Sequence, residues 1–158
     1  MEQESPYFTN PSSQQSTNDD NTSAIGMIIG VTTLALILPA AVISLMELQW
    51  QIDMGAEFKW IIYSIIFSVT IISILAISGA HITGFLPAAL RIPSGVYLMA
   101  LSGLNLLVRL SILSDDYRFY NEQGWVSSLP EFMKQTWVHE PLELSFLGLL
   151  IAALIMKK

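Results

Sequence analysis

The chain has 158 residues, of which 53% are apolar and 13% charged, about half the charged share of roughly 25% seen in soluble domains. Its net charge of -6 argues against nucleic acid and anionic lipid head groups as principal partners. The absence of cysteine excludes disulfides, thiolate catalysis and thiolate metal sites. A soluble fold this short cannot hide so much apolar surface, whereas a bilayer is itself an apolar solvent for it.

Residues 1–23 form a polar acidic segment. Glu2, Glu4, Asp19 and Asp20 occur there without any lysine or arginine, which fits neither a secretory signal nor a mitochondrial presequence. Ser, Asn, Gln and Pro dominate, the composition of a disordered or surface-laid tail. Tyr7 and Phe8 offer an alternative, adhesion to a partner subunit.

The first expected transmembrane helix covers 24–46, without a charge and long enough to cross about 30 Å of hydrocarbon. Gly26 and Gly30 form a GxxxG, a close-approach face for packing within the bundle or against another subunit. Pro39 removes one backbone hydrogen bond and predicts a bend. A second span is expected at 60–80, where Ser64, Ser68 and Ser73 are small hydrogen-bonding positions between helices. The segment 79–95 has Gly79, Gly84, Gly95, Pro87 and Pro93, too many breakers for one straight helix. The plain reading is an interfacial connection with a short helix at 87–92. The sharper one is a re-entrant loop at membrane depth that makes His81, Thr83 and Arg91 a site.

The third span, 94–113, carries Ser102, Asn105 and Arg109 at i, i+3 and i+7, one face of a helix. Lipid cannot satisfy that stripe, so it must face protein or water. Arg109 lies near the helix end, where its stem can reach the interface; the alternative is an ion pair with Glu143 or Glu47. Loop 114–140 is expected at one membrane face, ending in an interfacial amphipathic helix near 129–138. Ser128 and Glu131 have the spacing of a capping box, and Leu129, Phe132, Met133 and Trp137 share one helical face. The last span is 141–156, with Pro141 and Glu143 suited to a helix start and Gly148 and Ala152 as a second small-residue pair.

The expected fold is therefore an all-α integral membrane protein with four transmembrane helices in a 24–158 domain. Trp50, Trp60, Trp125 and Trp137 all fall on one side as interfacial anchors. Lys157, Lys158 and the acidic loops place both termini on the cytoplasmic side. His81 and His139 then lie at opposite faces, so they cannot share one haem or metal, and no catalytic residue, metal ligand or cofactor is expected. The function this supports is a non-catalytic accessory or structural subunit of a larger membrane complex, packing through small-residue helix faces, with an energy-converting complex as one candidate host. Its partners would be the lipid bilayer, other membrane subunits and a bound lipid. The alternative is a small homo-oligomeric channel or transporter using the 79–95 break and the Ser102/Asn105/Arg109 stripe. A membrane enzyme, third in order, would need Asp115, Asp116, His139 and Glu140 to converge.

Overall fold

The computed structural model describes residues 12–157, apart from the side chains of residues 12–22 and of Trp137. Among the described residues the chain is all-helical: α1 Ser12–Ala35, α2 Ile37–Asp53, α3 Phe58–Ile82, α4 Ala88–Glu122, α5 Leu129–Met133 and α6 Thr136–Met156. Four stretches are long and apolar enough to cross a membrane: Ser23–Asp53, Phe58–Ile82, Ala88–Glu122 and Val138–Met156. Tyr7 and Phe8 lie outside the described residues, and α1 already begins at Ser12, inside the stretch expected to be a tail.

Local chemistry explains the boundaries. The α1–α2 rod breaks at Leu36, three residues before Pro39. Pro39 has no N–H to offer the carbonyl of Ala35, and its ring crowds that same carbonyl. Helices α2 and α4 end in Schellman motifs that need a left-handed residue. Gly55 takes a φ of 68° while Ala56 N–H donates to Gln51 O at 2.9 Å; Gly124 takes 73° while Trp125 N–H donates to Tyr120 O at 3.0 Å.

Several expected boundaries differ from those observed. Within the 79–95 segment only residues 83–87 form a turn, between the end of α3 and the start of α4, closed by Leu86 N–H on Ala80 O at 2.9 Å. Helix α4 starts at Ala88 and carries Pro93 inside it, so the segment has the form of a helical hairpin, not a re-entrant loop. The same helix runs on to Glu122, because the residues after Leu113 continue its buried face. The amphipathic helix expected near 129–138 stops at Met133, and α6 begins at Thr136, five residues ahead of Pro141. Pro141 removes an N–H without ending the helix.

Helices α3, α4 and α6 form a bundle, with α4 and α6 in the most extensive contact, while α1 and α2 pack chiefly on α3. Small residues set these approaches. A Cβ on Gly30 would stand 3.2 Å from the Gly79 carbonyl, and one on Gly79 would stand 3.2 Å from the Gly30 carbonyl. One core cluster joins Ile74, Leu98 and Ala152 across α3, α4 and α6. A second, at the other end of the bundle, joins Val126, Phe132 and Val138 under Leu113, Tyr117 and Tyr120. Phe132 is fully buried there, so α5 caps the end of α4 and is not a free amphipathic helix.

Glu131 anchors that cap differently from the expected box. Its carboxylate accepts from the Ser127 hydroxyl at 2.7 Å and the Ser127 N–H at 2.8 Å, while Ser128 makes no side-chain cap bond. The hydroxyl first, and the N–H second, hold the Glu131 carboxyl below its ordinary value.

Candidate functional site

The buried face of α4 is built from Gly95, Leu98, Ser102, Asn105, Arg109, Ile112 and Asp116. Their spacing alternates between three and four residues, the pattern that keeps one stripe of a helix against a partner helix. Opposite it, α6 presents the buried residues Ser145, Gly148 and Ala152. Gly148 lets Ser102 fit, since a Cβ there would collide with the Ser102 hydroxyl. Ala152 is fully buried, and its carbonyl lies 3.1 Å from where a Cβ on Gly95 would stand.

The seam between these helices is polar. Asn105 donates through Nδ2 to Ser145 Oγ at 2.8 Å, and Ser145 donates in turn to the Pro141 carbonyl at 3.0 Å. Ser102 and Asn105 are fully buried, and their Oγ and Oδ1 atoms make no further hydrogen bond. One turn beyond Asn105, Arg109 Nη1 donates to Asp116 Oδ2 at 2.7 Å, with the two side chains 3% and 4% exposed. The guanidinium also lies 5.7 Å from the centroid of the Tyr63 ring on α3, within cation–π range.

Arg109 was expected to extend toward an interface or to meet Glu143 or Glu47. The structure instead buries it against Asp116, seven residues along its own helix. Glu143 pairs with His139 at 3.1 Å on an exposed surface, and Glu47 accepts from Gln51 at 3.1 Å. Asp116 was placed in the loop, yet the three-four spacing running through Ile112 to Asp116 is the signal that puts it in the seam.

The remaining candidates separate. Gly30 and the Gly148–Ala152 pair are used inside the chain, whereas among the described residues nothing lies within 4 Å of a Cβ on Gly26. Trp50 and Trp125 are exposed and Trp60 is half-buried, all at the α2–α3 and α4–α5 end; the side chain of Trp137 lies outside the described set. Asp115 pairs with Lys59 at 2.9 Å, Asp116 with Arg109, and His139 with Glu143, so these charges serve different partners. At the other end, His81 Nδ1 is buried without a hydrogen bond. Thr83 turns its hydroxyl back to Gly79 O at 2.8 Å, and Arg91 is exposed.

Sequence reading missed one concavity. A cleft of about 600 Å³ opens between α2, α3 and the start of α6, with Gln51, Tyr63, Phe67 and Glu140 among its walls. Gln51 Nε2 donates to Ser64 Oγ at 2.6 Å and so fixes the register of α2 on α3 at its polar end. No protein-family model matches the sequence, and comparison with curated proteins and with solved structures returned no match.

Proposed function

We propose that this chain is a four-span integral membrane protein, with both termini on the cytoplasmic side, acting as a non-catalytic accessory or structural subunit of a larger membrane complex. An energy-converting complex remains a candidate host. The observation that carries the reading is the poor burial of the first span. Only 6% of the most apolar window of Ser23–Asp53 is buried, against 28% in each of the other three spans, and α2 has no buried residue. Leu38, Ile43, Leu45 and Met46 are each about two-thirds exposed or more. The span is also long: the 31 residues of Ser23–Asp53 at 1.5 Å per residue follow a path of about 46 Å, more than the roughly 30 Å of a hydrocarbon core. A helix held on one side only, and longer than lipid alone requires, suits a docking role.

The channel alternative draws on the polar seam, but a stripe closed off inside one chain has no outlet to a pore shared between copies. Isolation of the full chain from its native membrane in mild detergent, with mass spectrometry of what accompanies it, tests the reading. Larger membrane proteins should co-purify at fixed stoichiometry, and Leu45→Trp on the outer face should lower that yield. Recovery as a lone monomer or a homo-oligomer refutes the subunit role. Solute flux in liposomes that is lost on Arg109→Ala would favour the alternative.

A further inference from the structure

The geometry points to α2 as a hinged wall. It swings about residues 36–39, opens and closes the cleft against α3 and α6, and is latched shut by Gln51 on Ser64. The inference rests on the membrane-spanning part of the proposed function and is independent of any host complex.

The hinge comes from the chain itself. Pro39 has no N–H for the Ala35 carbonyl, so the helical ladder loses a rung where α1 gives way to α2. Rungs on either side survive, Leu36 N–H on Thr32 O at 3.2 Å and Ala40 N–H on Leu36 O at 3.1 Å. The joint is therefore a soft kink and not a loop. One turn earlier, the Thr32 and Thr33 hydroxyls donate back to Ile28 O and Ile29 O, each at 2.8 Å, a contact that bends helices. The far end of α2 can follow, because only residues 54–57 join it to α3, with Gly55 supplying the left-handed turn.

The two sides of the hinge are held unequally. Before it, α1 crosses α3 backbone to backbone: a Cβ on Gly30 would stand 3.0 Å from the Thr83 nitrogen and 3.2 Å from the Gly79 carbonyl. An approach that close leaves little room to slide. Beyond it, α2 buries no residue. Ala40, Ile43, Ser44, Glu47 and Gln51 make one stripe at helical spacing, and that stripe lines the open cleft of about 600 Å³. Elements with few buried contacts are the first to open.

The latch is a single bond. Among the described residues, Gln51 Nε2 on Ser64 Oγ, at 2.6 Å, is the one side-chain hydrogen bond from α2 to another helix. Glu47 accepts from the same nitrogen at 3.1 Å and so orients the amide. Closure also buries Gln51 Oε1 without a hydrogen-bond partner in the chain, and an unmatched buried acceptor opposes the bond gained. Gain and cost of similar size leave the closed and open positions close in free energy. Gln51 lies about 18 Å beyond Pro39 along the helix axis, so a change of about 20° at the kink carries it about 6 Å.

The chain has no cysteine, so introduced cysteines carry spin labels without background. Double electron–electron resonance then reads their separation in the full chain in lipid nanodiscs. Ile52→Cys with Leu110→Cys reports α2 against α4, and Ile29→Cys with Ile92→Cys reports α1 against α4; all four sites are exposed. The first pair should show two separations differing by about 6 Å, and the second pair one. Ser64→Ala removes the acceptor of the latch and should raise the ratio of open to closed roughly threefold, the weight of one interhelical hydrogen bond in a membrane. Pro39→Ala restores the missing rung and should merge the two separations into one. The Ile29/Ile92 separation shows in each case that the variant has kept its fold. A single narrow separation for Ile52/Leu110, or equal broadening at both pairs, overturns the hinged wall. A ratio unmoved by Ser64→Ala overturns the latch, and two separations that survive Pro39→Ala overturn the pivot. The chain is measured by itself in lipid, so these outcomes are separate from whether larger proteins co-purify with it. A chain that stays in solution without detergent defeats the membrane reading itself.

Discussion

Removing the guanidinium of Arg109 while leaving Asp116 in place isolates the strongest electrostatic commitment in the fold. At 2.7 Å and an effective dielectric of 20, the Coulomb attraction is about 6 kcal/mol. Each ion also loses several kcal/mol of hydration on burial, so the pair as a whole contributes little net stability. The asymmetry lies in the single variants. Arg109→Met keeps the apolar stem but strands a carboxylate that is 4% exposed, at a cost of about 3–5 kcal/mol. At about 2–4 °C per kcal/mol for a chain of this size, that is a fall in Tm of roughly 6–20 °C. The double variant Arg109→Met/Asp116→Leu, with no charge left behind, should return to within about 1 kcal/mol of the parent or exceed it. The assay is thermal or detergent-induced unfolding of the purified chain, read as a double-mutant cycle. A loss below about 1 kcal/mol for Arg109→Met would mean a solvated arginine and would refute the buried pair. An unrecovered double variant would refute the claim that the stranded charge causes the loss.

Gly148→Ala should cost about 1–3 kcal/mol by overpacking, since its Cβ would meet the Ser102 hydroxyl and lie 3.1 Å from Ile74 Cδ1; Ser102→Gly in the same chain should restore stability, and no recovery would place the clash elsewhere. Ser145→Ala removes the acceptor for Asn105 Nδ2 and should cost about 0.6 kcal/mol, at most about 1.7, in the same unfolding assay. The Glu131 carboxyl is held below its ordinary value of 4.5 by Ser127. Its contribution to the α4–α5 cap is complete above 4.5 and is lost as the pH falls through the lower folded-state value. The Ser127 amide proton should therefore titrate with a midpoint under 4.5 by NMR and lose that transition in Glu131→Gln; a midpoint at or above 4.5 would remove Glu131 from the cap.

What the sequence made legible was whatever a single helix determines. Apolar runs of span length marked the four long apolar helices, and the positions 102, 105 and 109 marked one face of α4. Boundaries were less legible because local breakers were overruled by packing. Pro93 and Pro141 each sit inside a helix, held there by the extensive α4–α6 contact. Asp116 was assigned to the loop because charges usually end an apolar run, yet the same three-four spacing that marked Asn105 and Arg109 continues to it. Partnerships between helices were illegible in principle. Nothing in a linear sequence shows that Gly30 meets Gly79, that Gly148 leaves room for Ser102, or that Gln51 reaches Ser64 thirteen residues on.

Those partnerships divide the chain into parts of unequal cohesion. Helices α4 and α6 are locked by an alternating stripe and a hydrogen-bonded seam, and Arg109 ties α4 to Tyr63 of α3. The α1–α2 arm is attached to α3 through a glycine crossing at one end and the Gln51–Ser64 bond at the other. Low-stability elements are the ones that move when something binds. The inner side of this arm is a wall of the cleft, and its outer side is the exposed apolar face carried by Leu38, Leu45 and Met46. Any ligand that fixes the arm from inside lowers the ordering cost for a partner that docks outside, and by thermodynamic reciprocity the partner strengthens the ligand to the same degree. The least buried helix of the bundle is thus the one through which a ligand in the cleft and a subunit outside it would act on each other.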